Sequence, residues 1–131
     1  MKIVKGVLVG VSIYLALYFG EKAVHFIYFY ITHEVGTSNL LLVKSSFMIN
    51  FAPIVAGLFA GYISKNGLIS GFVAGTISGL IVLIFQQLTG ASPFNQEYTP
   101  SILFDEVFTI GCIASVSGAA GELIKSKRLP N

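Results

Sequence analysis

The stretch "GLISGFVAGTISG", residues 67–79, repeats glycine at every fourth position: Gly67, Gly71, Gly75 and Gly79. A glycine in a helix interior costs about 1 kcal/mol relative to alanine, so the repeat calls for a compensating interaction. Its setting suggests one. No charged residue falls between Leu68 and Leu88, and a helix needs roughly 20 such residues to cross about 30 Å of hydrocarbon. In lipid, helices associate by close van der Waals contact and interhelical hydrogen bonds, because the surrounding tails are as apolar as leucine. Glycines four apart line one helix face and let a second backbone approach it.

The whole chain shares this character. Of its 131 residues 54% are hydrophobic and 11% charged, with a mean hydropathy of +0.80, whereas soluble domains are about 25% charged. The intervals 45–64 and 107–121 are also free of charge. These runs predict an all-α membrane protein: a single domain, 1–131, of four transmembrane helices in an antiparallel bundle, with spans at about 3–31, 42–64, 68–88 and 102–124. Helices are required because backbone groups find no water inside lipid. The continuous apolar runs lack the period-2 alternation of a β-barrel. The start, "MKIVKGVLVGVSIYLALYFG", has the basic and apolar parts of a secretion signal. It offers Tyr18, Phe19 and Glu21 where cleavage needs small residues, and is expected to remain as the first helix.

The connections are short. "SKNG", residues 64–67, reads as a tight turn through Asn66-Gly67, making spans two and three a hairpin. "THEVGTSN", 32–39, and the longer "TGASPFNQEYTP", 89–100, join the other spans, with Pro100 suited to the first turn of span four. Four spans put Lys2, Lys5, Lys65, Lys125, Lys127 and Arg128 on one side, against Lys22 and Lys44 on the other. Basic residues concentrate on the cytoplasmic side, so both termini are expected there. Tyr28, Tyr30 and Tyr98 fall near the opposite interface, where amphipathic rings are well placed.

Each span carries small residues at helical spacing. Alongside the glycine string of span three, span two has Ala52, Ala56, Ala60 and Ser64 with Gly57 and Gly61; span one has Gly6 and Gly10; span four has Gly111, Ser115 and Ala119 with Gly118 and Gly121. Packing within one bundle is the favoured use, and a stripe left over for self-association is the other. Which stripe meets which is not specified by the pattern.

Few residues suggest chemistry. Glu21 and His25, four apart, share a helix face near the outer boundary. Asp105 and Glu106 lie in the first turns of span four, where the helix dipole favours negative charge. With Glu97, Gln86 and Gln87 they are candidates for an acidic outer mouth that would suit cations. Glu122 precedes Lys125 by about one turn and reads as its interfacial partner. In span two, Pro53 removes one backbone hydrogen bond, freeing a carbonyl for a partner or water, and Asn50 reads as an interhelical hydrogen-bonding group. Cys112, the single cysteine, excludes an intramolecular disulfide and reads as a small packing residue. Paired-histidine, phosphate-loop, paired-cysteine and serine-elbow signatures are missing from the sequence. The expectation is a protein that is not an enzyme and uses no cofactor, metal or nucleic acid.

The hairpin "APIVAGLFAGYISKNGLISGFVAGTISGLIVLI", residues 52–84, resembles that of small glycine-rich four-helix membrane proteins of unknown function in bacteria and archaea. The likeness lies in the Gly61-Tyr62 pair before a basic turn and the glycine string after it. It implies a multi-pass protein of the prokaryotic inner membrane and assigns no functional residue. Small multidrug exporters keep a glutamate within their first span, whereas Glu21 is at the outer end of this one. The function expected is action through helix contacts on the bilayer, a membrane partner or a second copy, as a scaffold, accessory subunit or regulator, toxin immunity included. The alternative is a small oligomeric ion or solute transporter with Glu21, His25, Asp105 and Glu106 at its mouth.

Overall fold

A computed structural model describes the backbone of residues 1–32, 39–89 and 100–128 and, within these, the side chains of 1–24, 26–27, 51–89, 101 and 104–127. The described chain is helical: α1 (Lys2–Thr32), α2 (Asn39–Ile63), α3 (Gly67–Thr89) and α4 (Pro100–Arg128). Helix α2 starts a little before the expected span, and α4 begins at Pro100, whose missing N–H is harmless in a first turn. Three stretches are long and apolar enough to cross a membrane: Lys2–Val24, Gly67–Thr89 and Phe104–Lys127. In α2 the apolar stretch among the described residues is Phe51–Ile63. The expected roles of Glu97 and Tyr98, and of the side chains of Tyr28, Tyr30, Lys44, Asn50 and Arg128, lie outside the described residues.

The α2–α3 hairpin forms the middle of the molecule. Helix α4 packs against both of its members, α1 packs against both from elsewhere on the hairpin, and among the described residues α1 and α4 share no helix–helix contact. Gly6 of α1 lies against Ser64, while Glu122 and Lys125 of α4 reach Gly67 and Ile63. The start of α1, the hairpin turn and the end of α4 therefore share one end of the bundle.

Side-chain size is sorted in an unusual direction. The largest fully buried side chains are Pro53, Ser64, Ser70 and Ser78, and Ala56, Ala60, Ala74 and Ala114 have no exposed surface. Bulky apolar groups point outward on every helix, as with Leu8, Phe59, Ile84 and Phe108. A soluble bundle buries such groups to remove them from water. Here they clothe the outside, an arrangement compatible with an integral membrane protein.

Candidate functional site

Two seams run along the hairpin. In the first, α4 presents Gly118 and Ala114 to both hairpin helices. A methyl group added to Gly57 or Gly71 would run into the Ala114 carbonyl, and one added to Gly61 or Gly67 into the Gly118 carbonyl. Gly121 lies in the same way against the Leu58 carbonyl. In the second seam, α1 rests on the alanines of α2. A methyl on Gly6 would come 2.5 Å from the Ala60 carbonyl oxygen, and one on Gly10 would come 2.9 Å from the Ala74 methyl and 3.0 Å from that of Ala60. Helix α2 thus divides its small residues between neighbours: Gly57 and Gly61 toward α4, Ala56 and Ala60 toward α1.

The glycine string of α3 faces α4 and its contacts loosen along its length. Gly67 and Gly71 oppose backbone, a methyl on Gly75 would lie 2.7 Å from the Ala114 methyl, and one on Gly79 would lie 3.3 Å from the Ile110 side chain. Beyond that point a larger apolar cluster occupies the interior: Tyr14, Ala52, Ala56, Val82 and Ile110, flanked by Leu15, Leu17 and Tyr18. Ala52 belongs to this cluster and not to either seam.

Polar groups in the interior bond mainly to backbone or to each other. Ser64 and Ser70 share a hydroxyl–hydroxyl bond of 2.7 Å. The Ser78 hydroxyl donates to the Ala74 carbonyl within α3. Between helices, Ser115 donates to the Leu68 carbonyl at 3.0 Å. At the turn, α4 supplies both ends of the hairpin. The Glu122 carboxylate accepts the Gly67 N–H at 2.6 Å, and the Lys125 ammonium donates to the Ile63 carbonyl at 3.4 Å. A helix start leaves N–H groups and a helix end leaves carbonyls without intrahelical partners, with partial charges that favour an anion and a cation respectively. Glu122 and Lys125 match that polarity. Their expected mutual pairing gives way to these bonds because the turn stands at the same depth as the end of α4.

Asp105 is exposed, Glu106 and Glu21 are half-buried, and the side chain of His25 lies outside the described residues. Glu21 lies on α1 and Glu106 on α4, helices without close backbone approach among the described residues, and among the described residues no three His, Cys, Asp or Glu side chains gather as metal ligands would. Gln86 donates to the Tyr18 hydroxyl at 3.0 Å, and Lys22 stands 5.6 Å from the centre of the Tyr18 ring. Phe19 packs edge-on against Phe85 beside them. Sequence reasoning passed over Ala114 and Tyr14. A burial signal for Ala114 existed in its spacing, four residues before Gly118, whereas an aromatic in an apolar run gave none for Tyr14.

The arrangement positions backbones against one another. No protein-family model, curated protein or solved structure matches the chain.

Proposed function

We propose that the chain is a four-span protein of a prokaryotic inner membrane, with both termini cytoplasmic, that acts through contacts between helices and not through catalysis. The inverted size sorting carries this reading: small side chains fill the interior and Leu, Ile and Phe cover the outside. Lys2, Lys5, Lys65, Lys125 and Lys127 at the turn end support the cytoplasmic assignment, and the resemblance of the hairpin supports the membrane. The contact role is supported by α1. Its outward surface includes Ser12, Ala16 and Gly20, all exposed, with nothing among the described residues within 4 Å of where a Gly20 methyl would stand. This stripe offers a partner's spanning helix the kind of close approach that the interior seams use. A scaffold, accessory subunit, regulator or toxin-immunity protein would use it in the same manner.

The test combines alkaline extraction of membranes with cross-linking. The protein is expected to stay in the pellet, and Ser12→Cys in a Cys112→Ala background is expected to cross-link to a neighbouring helix, with Gly20→Leu abolishing the product. Release by alkali would overturn the membrane reading. Failure of Ser12→Cys to cross-link to any spanning segment in native membranes would overturn the contact role.

A transport reading draws on a separate observation, the half-buried placement of Glu106 inside the apolar stretch Phe104–Lys127. Under it, an oligomer passes ions or a solute through a mouth formed by Glu21, His25, Asp105 and Glu106. Proteoliposomes then show a cation-dependent flux that Asp105→Asn with Glu106→Gln removes. An unmodified protein without flux disposes of this alternative.

A further inference from the structure

Positive charge from three elements converges on the turn at residues 63–65. Helix α1 arrives through Gly6: a methyl there would lie 3.0 Å from the Ser64 Cβ and 3.4 Å from the Ser64 nitrogen. Lys5 and Lys65 are thus the chain neighbours of two residues in contact. Helix α4 arrives through Lys125, whose ammonium stands 3.4 Å from the Ile63 carbonyl oxygen. Lys5 and Lys65 are both exposed, and among the described residues neither makes an ion pair or a hydrogen bond. Among the described residues the one acid at this end is Glu122, and its carboxylate is engaged by the Gly67 N–H.

Like charges gathered without a counter-charge repel one another and raise a local potential that draws an anion. The flexible four-carbon stem of lysine lets neighbouring ammonium groups turn toward a common ligand. The surface beneath the charges says which anion fits. Contacts of Gly6 with Ala60 and Ser64, and of Gly10 with Ala56 and Ala60, set the first turns of α1 at the depth of residues 56–64 of α2. At that depth Val4 and Leu8 of α1 are 62% and 61% exposed and Phe59 of α2 is 50% exposed. Free phosphate gains nothing from such apolar surface, whereas the chains of a phospholipid lie along it. Anionic headgroups are attracted to basic residues at the ends of spanning helices.

We propose that the turn end binds the phosphodiester of an anionic diacyl phospholipid, with Lys5 and Lys65 as its direct partners, Lys125 adding charge beside them, and the acyl chains descending over Val4, Leu8 and Phe59. A shared anion at this point ties the start of α1 to the hairpin, as Glu122 ties α4 to it. The inference rests on the membrane reading, which alkaline extraction tests separately: a protein that stays in the pellet yet ignores anionic lipid sinks this inference alone.

The test is thermal unfolding of the full chain in detergent micelles at fixed ionic strength, with dioleoylphosphatidylglycerol, dioleoylphosphatidylcholine or inorganic phosphate added. The unmodified protein is expected to show a saturable rise in midpoint with phosphatidylglycerol and none with the other two. Lys5→Gln and Lys65→Gln should each raise the half-saturating lipid concentration roughly fivefold, each variant being compared with its own lipid-free midpoint. Lys127→Gln removes the same charge from the end of α4, and Lys22→Gln from the far end of α1; each should change that concentration by less than about twofold. An equal rise with phosphatidylcholine means apolar contact alone, and an equal rise with phosphate means a free-anion site. A loss at Lys127→Gln as large as at Lys5→Gln means attraction to diffuse charge. Each of these overturns the proposal, as does an unmodified protein whose midpoint phosphatidylglycerol leaves unmoved.

Discussion

The two ends of the bundle are built on different principles. At the turn end, helices meet backbone to backbone: Gly61 and Gly67 both press on Gly118, and charged side chains of α4 close the hairpin. Toward the other end the helices are held apart by Tyr14, Val82 and Ile110, and polar contacts run through side chains such as Tyr18 and Gln86. The difference shows how a chain whose interior is filled mainly by small side chains divides its work. Close contact without side chains leaves no room for a ligand. Side-chain filling instead brings larger groups into the interior, Tyr14 with its phenol among them.

The sharpest way to break this contrast is a single methyl group. Gly61→Ala should cost on the order of 3 kcal/mol or more, since the added carbon meets the Gly118 carbonyl and backbone cannot swing aside as a side chain can. Reversible unfolding in mixed micelles measures it. Glu122→Ala comes next. Removing the acceptor from the Gly67 N–H should destabilise by about 2 kcal/mol, and Glu122→Gln, which keeps an acceptor, should restore a good part of that. Ser115→Ala deletes one hydrogen bond between α4 and α3, and an effect of about 0.6 kcal/mol is expected. At the loose end the sign should change. Gly79→Ala meets the Ile110 side chain, tightly only at its terminal methyl, and gains helix propensity, so its midpoint should equal or exceed that of the parent. A large loss there, comparable with that at Gly61, would erase the distinction between the ends.

Helix number and approximate helix positions were legible in the sequence because both follow from uninterrupted apolar length. The inward placement of Gly57, Gly61, Gly67 and Gly71 was legible as a tendency, since small residues four apart make a face. The matching of faces was not. Ala56 and Gly57 are adjacent and equally small, and only the three-dimensional arrangement sends one toward α1 and the other toward α4. The pairing of Glu122 with Gly67 was hidden for a related reason: a local rule for residues three apart pointed to Lys125, whereas the real partner lies 55 positions away. The candidate site was the least legible part. Glu21, Asp105 and Glu106 drew notice because they are charged, while Tyr14, a member of the interior cluster, looks from sequence like any apolar filler.

The bond between Glu122 and Gly67 also bears on how the chain is made. Synthesis delivers the hairpin long before residue 122 emerges, so during that interval the first amide of α3 lacks the carboxylate, and the Ile63 carbonyl lacks the Lys125 ammonium. A polypeptide released early keeps both groups bare at the turn. Completion of the last helix is thus recorded chemically at a point far upstream.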